Sequence, residues 1–131
     1  MTTIEFYLHD DDSLVVIDAK INDYKIRLAL DTGASHTVID STALMIAGFT
    51  KENAKGDTYL ETGKGGIEAE IYEIEWFESL GIIHTIFKIC SYDFMANGIF
   101  APIDGVLGLD FFKVQNNKIC IDFQNSEITI H

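Results

Sequence analysis

Leu28-Ala29-Leu30-Asp31-Thr32-Gly33-Ala34-Ser35 puts an acid at the end of an apolar strand, with a small hydroxyl residue and a glycine directly after it. A carboxylate at such a strand end is costly to desolvate alone. It becomes tolerable when backbone N–H groups of the following turn point at it, and Gly33 permits that turn and leaves room for a second backbone. The alternative is an ordinary Asx-type turn closing a strand.

Outward from this stretch the periodicity is mostly that of strands. Ile26, Leu28 and Leu30 alternate with Arg27 and Ala29. Asn22-Asp23 reads as a tight turn between Leu14–Ile17 and Tyr24–Leu30. Ile4, Phe6 and Leu8 alternate with polar residues, and Asp10-Asp11-Asp12-Ser13 reads as a solvated turn. After Val38-Ile39, Asp40 or Ser41 is placed to cap a short helix through about Ala47, which Gly48 closes. Asp57–Glu61 and Ile67–Phe77 read as two strands joined by Thr62-Gly63-Lys64-Gly65-Gly66, and the apolar phase of the second shifts between Ile71 and Ile74, a bulge or bend. Ile82–Ser91 is apolar on both faces and so is expected to be central. Tyr92–Pro102 is a loop, and Ile119–Phe123 with Ile128–Ile130 forms a C-terminal hairpin. The expectation is one nearly all-β domain over residues 1–131 with one or two short helices. Trp76 and the phenylalanines are expected in its core.

The 131 residues carry a formal charge of −12, and 47% are apolar. That charge opposes binding to nucleic acid or an anionic membrane. No stretch approaches the roughly 20 apolar residues of a membrane span, and the first residues lack signal-peptide character. A soluble, cytoplasmic protein is expected. Cys90 and Cys120 lie in apolar strand-like runs and are expected to be buried free thiols. Neither has a Cys or His neighbour at zinc-site spacing, so no metal is expected. Of the four histidines, His9, His36, His84 and His131, only His36 is near Asp31.

Two turns like the one after Asp31, facing each other, would hold two carboxylates so close that both cannot ionise, and the pair would share a proton. Such a pair can take a proton from water through one member and give one to a carbonyl oxygen through the other. The run Asp31-Thr32-Gly33-Ala34 after an apolar strand resembles the retropepsin-like aspartic proteases. So does Asp104-Gly105-Val106-Leu107-Gly108-Leu109-Asp110-Phe111-Phe112, which is similar to the family's apolar-apolar-Gly segment and following short helix. Gly63-Lys64-Gly65-Gly66 falls where that family keeps its flap. As a nucleotide loop this stretch fails, because no Ser or Thr follows the lysine.

The resemblance implies a closed β-barrel fold, a homodimer, an extended peptide or protein substrate and no cofactor. It makes Asp31 catalytic, Thr32, Gly33, Ala34 and Ser35 the active-site loop, and Gly63, Lys64, Gly65 and Gly66 the flap. Val106, Leu107 and Gly108 would pack beneath the loop. Ile4–Leu8 and Glu127–Ile130 would be interface strands, because the family's termini pair across the dimer. Asp104 lacks a Thr or Ser before its glycine and is read as structural. With a single Asp-Thr-Gly in the chain, the second acid must come from a second copy, across a two-fold interface. The chain departs from the viral members at Lys64, at Ser35-His36 and in the added helix over Asp40–Gly48. Lys64 and Ser35-His36 motivate the rival reading, a protease-fold dimer that binds peptide without cutting it.

Overall fold

The hairpin that leads to Asp31 is the seed of the architecture. The computed structural model describes residues 2–8, 14–62, 65–97, 102–113 and 118–131. The turn at Asp10–Asp12, His9, and the flap residues Gly63 and Lys64 lie outside them. Strands β1 (Thr2–Glu5), β2 (Tyr7–Leu8), β3 (Val15–Ile21), β4 (Tyr24–Leu30) and β5 (Val38–Asp40) precede helix α1 (Ser41–Ile46). Strands β6 (Gly56–Thr62), β7 (Gly65–Ser79), β8 (Ile82–Tyr92) and β9 (Gly105–Leu107) follow, then α2 (Asp110–Lys113), β10 (Ile119–Asp122) and β11 (Glu127–Ile130).

β3 and β4 meet at Asn22-Asp23. Asn22 sits at φ +53, a left-handed conformation that asparagine tolerates. Its N–H donates to the Trp76 carbonyl at 2.7 Å, and its Oδ1 accepts the Trp76 N–H at 3.2 Å. β4 pairs with β3 on one side and lies parallel to β9 on the other. β9 pairs with β5, β5 with β8, β8 with β7, and β7 returns to β3 through Ala19 opposite Ser79 and Ile21 opposite Phe77. These six strands close a barrel, and β2 and β6 extend it. β8 is internal to this sheet, as its two apolar faces require.

Phe77, Phe111, Ile17, Leu28, Ile74 and Leu107 are among the side chains that fill the barrel core. The face that β7 buries changes twice: Ala69 is inward, then Tyr72 and Ile74, then Phe77 and Ser79. The register with β8 is the same on both sides of the unpaired Glu75 and Ile86, with Ile74 opposite Phe87 and Trp76 opposite Thr85. The strand therefore bends without an inserted residue. Ile86, at φ +56, lies beside the second change.

Several expectations are corrected. Ile4–Leu8 is two strands, not one. Phe6 is buried and its N–H donates to Ser126 at 2.9 Å, so β1 joins a separate sheet of order β1-β11-β10 while β2 joins the barrel. β11 is thus a middle strand with both edges paired inside the chain, and Glu127–Ile130 has no free edge for an interface. Trp76 is 43% exposed because the outer face of the bent β7 carries it. Cys90 is buried, as expected, but Cys120 is exposed on the outer face of β10. Asp40 precedes α1 without capping it by its side chain; the carboxylate accepts the Phe94 N–H at 3.2 Å instead. Gly48, at φ +101, closes α1 as expected.

Candidate active site

Asp31 follows the last residue of β4, and its N–H donates to the Leu107 carbonyl at 3.1 Å. The chain then turns back on itself. The Gly33 N–H donates to Asp31 Oδ1 at 2.9 Å, and the Ala34 N–H donates to the Asp31 carbonyl at 3.1 Å. A side chain on Gly33 would lie 3.1 Å from that same carboxylate oxygen. The turn thus aims one backbone donor at the acid and leaves the carboxylate exposed.

The loop rests on β9 and the turn after it. Leu109 N–H donates to the Ala34 carbonyl at 2.8 Å. A Cβ on Gly108 would sit 2.6 Å from the His36 carbonyl carbon and 2.9 Å from the Ala34 oxygen, distances no Cβ adopts. Glycine at 108 is a condition for the two backbones to approach. Beside it, Gly108 N–H donates to Thr37 Oγ1 at 3.1 Å. The Thr37 hydroxyl donates in turn to Asp110 Oδ1 at 2.8 Å, and the Thr37 N–H donates to Asp110 Oδ2 at 3.0 Å. Thr37 is fully buried, so every polar atom of this clamp is matched inside the protein.

Behind the clamp, the Cys90 N–H donates to the Thr37 carbonyl at 3.0 Å. Burial, and then the nearby Asp110 charge, push the Cys90 thiol up, which keeps it protonated and unreactive. His84 is also buried, and its Nε2 lies 2.9 Å from the Phe111 carbonyl, a bond that requires Nε2 to carry the proton.

Asp31 opens onto a cleft of about 770 Å³. Gly33, Ala34, Ser35 and His36 form one rim. Val38, Val106, Ile103 and Phe94 give the cleft apolar lining, and Tyr59, Leu60 and Glu61 of β6 line it as well. β6 and β7 pair antiparallel where the sequence reads two strands joined by residues 62–66, with Thr62 opposite Gly65 and Glu61 opposite Gly66. A side chain on Gly66 would press on the Tyr59 ring at 3.3 Å.

Of the residues singled out in the sequence, the structure brings Asp31, Gly33, Ala34, Ser35 and Val106 into one cleft. Leu107 and Gly108 lie buried beneath the loop. Thr32 is exposed and does not line the cleft of a single chain. Asp104 is turned away from it: its carboxylate accepts the Arg27 N–H at 2.9 Å, and its backbone bonds Arg27 and Asp40. That is the structural role expected of it. Thr37, Asp110, Tyr59 and the apolar lining residues Val38, Ile103 and Phe94 were not foreseen. A signal existed for Asp110, an acid opening a short helix directly after Gly108-Leu109.

A sequence model of the aspartyl protease family matches residues 17–111, a span that holds both Asp31 and Gly108. The chain belongs to that family. This aspartyl protease family member also has the retropepsin-like fold. A solved retropepsin-like aspartic protease from Rickettsia conorii superposes with a TM-score of 0.70 over 98% of this chain and 89% of that one, at 19% identity. Among curated proteins, none matches the chain in sequence. No helix among the described residues is long and apolar enough to cross a membrane.

Proposed function

We propose that two copies of this chain form an aspartic endopeptidase, with the Asp31 of each copy making up a carboxylate pair. The reading is carried by one observation: an exposed Asp31 carboxylate, held by the Gly33 N–H at 2.9 Å, lines a largely apolar cleft together with Tyr59, Leu60 and Glu61 of β6. Two carboxylates in contact share one proton. The ionised member takes a proton from a water molecule as its oxygen attacks the scissile carbonyl carbon. The protonated member gives its proton to the carbonyl oxygen, and a tetrahedral diol forms. The carboxyl that took the water proton then gives it to the amide nitrogen, while its partner takes a proton from a diol hydroxyl. The C–N bond breaks, the C=O of the new carboxylic acid forms, and the pair again holds one shared proton. Carboxylates and water complete this cycle.

The Asp31 loop supplies position. Its hydrogen bonds to Leu107 and Leu109, and the Thr37–Asp110 clamp, set the carboxylate before substrate arrives. An extended peptide fits between the loop and the hairpin of β6 and β7, whose backbone groups can pair with it as a strand. Val38, Phe94, Ile103 and Val106 then offer an apolar seat for a side chain near the scissile bond.

The test is Asp31→Asn, assayed on an unfolded protein mixture from about pH 3 to about pH 7. The expected result is loss of cleavage with the circular dichroism spectrum and oligomeric state unchanged. Retained turnover overturns the assignment of Asp31. Peptide binding by the unaltered protein with no cleavage sensitive to a transition-state-mimicking inhibitor favours the rival, a peptide-binding dimer.

A further inference from the structure

Tyr59 is 68% exposed, and it lines the cleft that Asp31 opens onto. Alternate residues of a strand share a face, and so do residues directly opposed in an antiparallel pair. Tyr59 and Glu61 of β6 therefore lie on one face with Glu68 and Gly66 of β7, which stand opposite them. Around Gly66 these side chains converge. A Cβ there would meet Tyr59 Cδ1 at 3.3 Å, Glu61 Oε1 at 3.8 Å and Tyr59 Cε1 at 3.9 Å. Glycine at 66 thus lets the Tyr59 ring lie against the backbone of β7 with the Glu61 carboxylate beside it. Core packing does not account for so exposed a ring. Nor is Glu61 held by a cation: among the described residues the ion pairs gather on Asp18.

From this arrangement we infer that Tyr59 and Glu61 set substrate specificity: they seat a cationic side chain, arginine before lysine, of the peptide in the cleft. The inference rests on the proposed reading of this cleft as the peptide site of a protease. A guanidinium stacks on an aromatic face and gives its N–H groups to a carboxylate at the same time. Its aliphatic stem covers apolar surface, which Leu60 and Phe94 supply. A lysine ammonium keeps the charge and lacks the stacking plane. Among the described residues that line the cleft there is no lysine or arginine to fill the seat. The other carboxylate of the lining, Asp31, carries the reaction, and its histidine, His36, belongs to the Asp31 loop. An acidic substrate side chain would meet Glu61 as a like charge and be rejected.

The net charge of −12 draws any cation toward the chain, so the test compares variants that each lose one charge. Fluorogenic peptides carry a single arginine, norleucine or glutamate, walked through the positions on both sides of the scissile bond. They are assayed at about pH 6 and about 0.15 M salt. At one position arginine is expected to raise kcat/KM about tenfold over norleucine. In Glu61→Gln that ratio falls to near one, and in Glu61→Lys glutamate becomes the favoured residue. Tyr59→Leu lowers the ratio roughly threefold. Glu75→Gln removes the same charge from an exposed position farther along β7 and keeps the preference. Ratios are read, so a change in overall rate does not enter. The inference is overturned if no position favours arginine, if the preference survives Glu61→Gln, or if Glu75→Gln lowers it equally.

Binding separates this seat from the chemistry. Fluorescence anisotropy with the same peptides on Asp31→Asn removes both the cleavage and the Asp31 charge. An arginine preference that remains there, and disappears when Glu61→Gln is added, supports the seat. That preference in a chain whose unaltered form cuts nothing rejects the protease reading and keeps the seat. Cleavage without any arginine preference keeps the protease and rejects the seat. A chain that neither cuts nor binds the arginine peptides overturns both.

Discussion

At the scale of single residues, Thr37 and Asp110 decide whether Asp31 has a fixed position. Thr37→Val keeps the shape and removes one hydroxyl. It leaves the Gly108 N–H without its acceptor and Asp110 Oδ1 without its donor in a buried setting. The expected cost is on the order of 1–3 kcal/mol, read from the denaturant midpoint. Peptide turnover should fall with KM nearly unchanged, because the clamp touches the Asp31 loop and not the apolar lining of the cleft. An unchanged midpoint would mean that water replaces the hydroxyl. Asp31 was legible in the sequence because its neighbours in the chain describe its surroundings: an apolar strand before it and a glycine after it. The clamp was not legible. Its partners are 73 residues apart, and neither threonine after a loop nor aspartate before a short helix says which acid it meets. Gly108 lies between these cases. Its glycine was visible, but the contact that requires it, with His36 and Ala34, appears only once β9 lies parallel to β4.

Elements were legible where a local rule governed them. The strands, the Asn22-Asp23 turn, α1 with Gly48 and the C-terminal hairpin follow from apolar period and turn chemistry. Two misread positions are ones where a tertiary partner took over: Phe6, which splits the first strand, and Asp40, whose carboxylate serves Phe94 rather than α1. Trp76 and Cys120 were misread because they lie on outward strand faces. The C-terminal hairpin offers a pH test. Asp122 Oδ1 accepts the N–H groups of Gln124 and Asn125, and Oδ2 accepts the Asn125 amide at 2.8 Å. These bonds, led by the Asn125 side chain, hold its carboxyl below the ordinary value of 3.8. A lowered folded pKa means that the ionised carboxylate stabilises the fold fully above the unfolded value. That contribution is lost as pH falls through the folded value. Thermal midpoints of the wild type and Asp122→Ala should therefore stand apart at neutral pH and converge in strong acid. A gap that does not depend on pH would assign the effect to shape rather than charge.

For the whole molecule, the barrel closes between residues that the sequence keeps far apart. Ala19 meets Ser79 and Ile21 meets Phe77, and the Ser79 hydroxyl donates to the Asp18 carbonyl at 2.8 Å. No period or turn signal marks that seam, so its place came only from the fold. Charge, by contrast, is fully readable from the composition, and it bears on the proposed dimer. Two chains of formal charge −12 each, with centres about 35 Å apart, repel by on the order of 15 kcal/mol in salt-free water. At about 0.15 M salt, where the Debye length is about 8 Å, that repulsion falls roughly tenfold. Raising salt from about 10 mM to about 150 mM should therefore lower the monomer–dimer midpoint at neutral pH, and peptide turnover per chain in dilute solution should rise with it. Sedimentation and initial rates on the same samples check both halves. If the midpoint rose instead, the contact would be governed by attraction between local charges, and the net charge of the chain would have no say in its assembly.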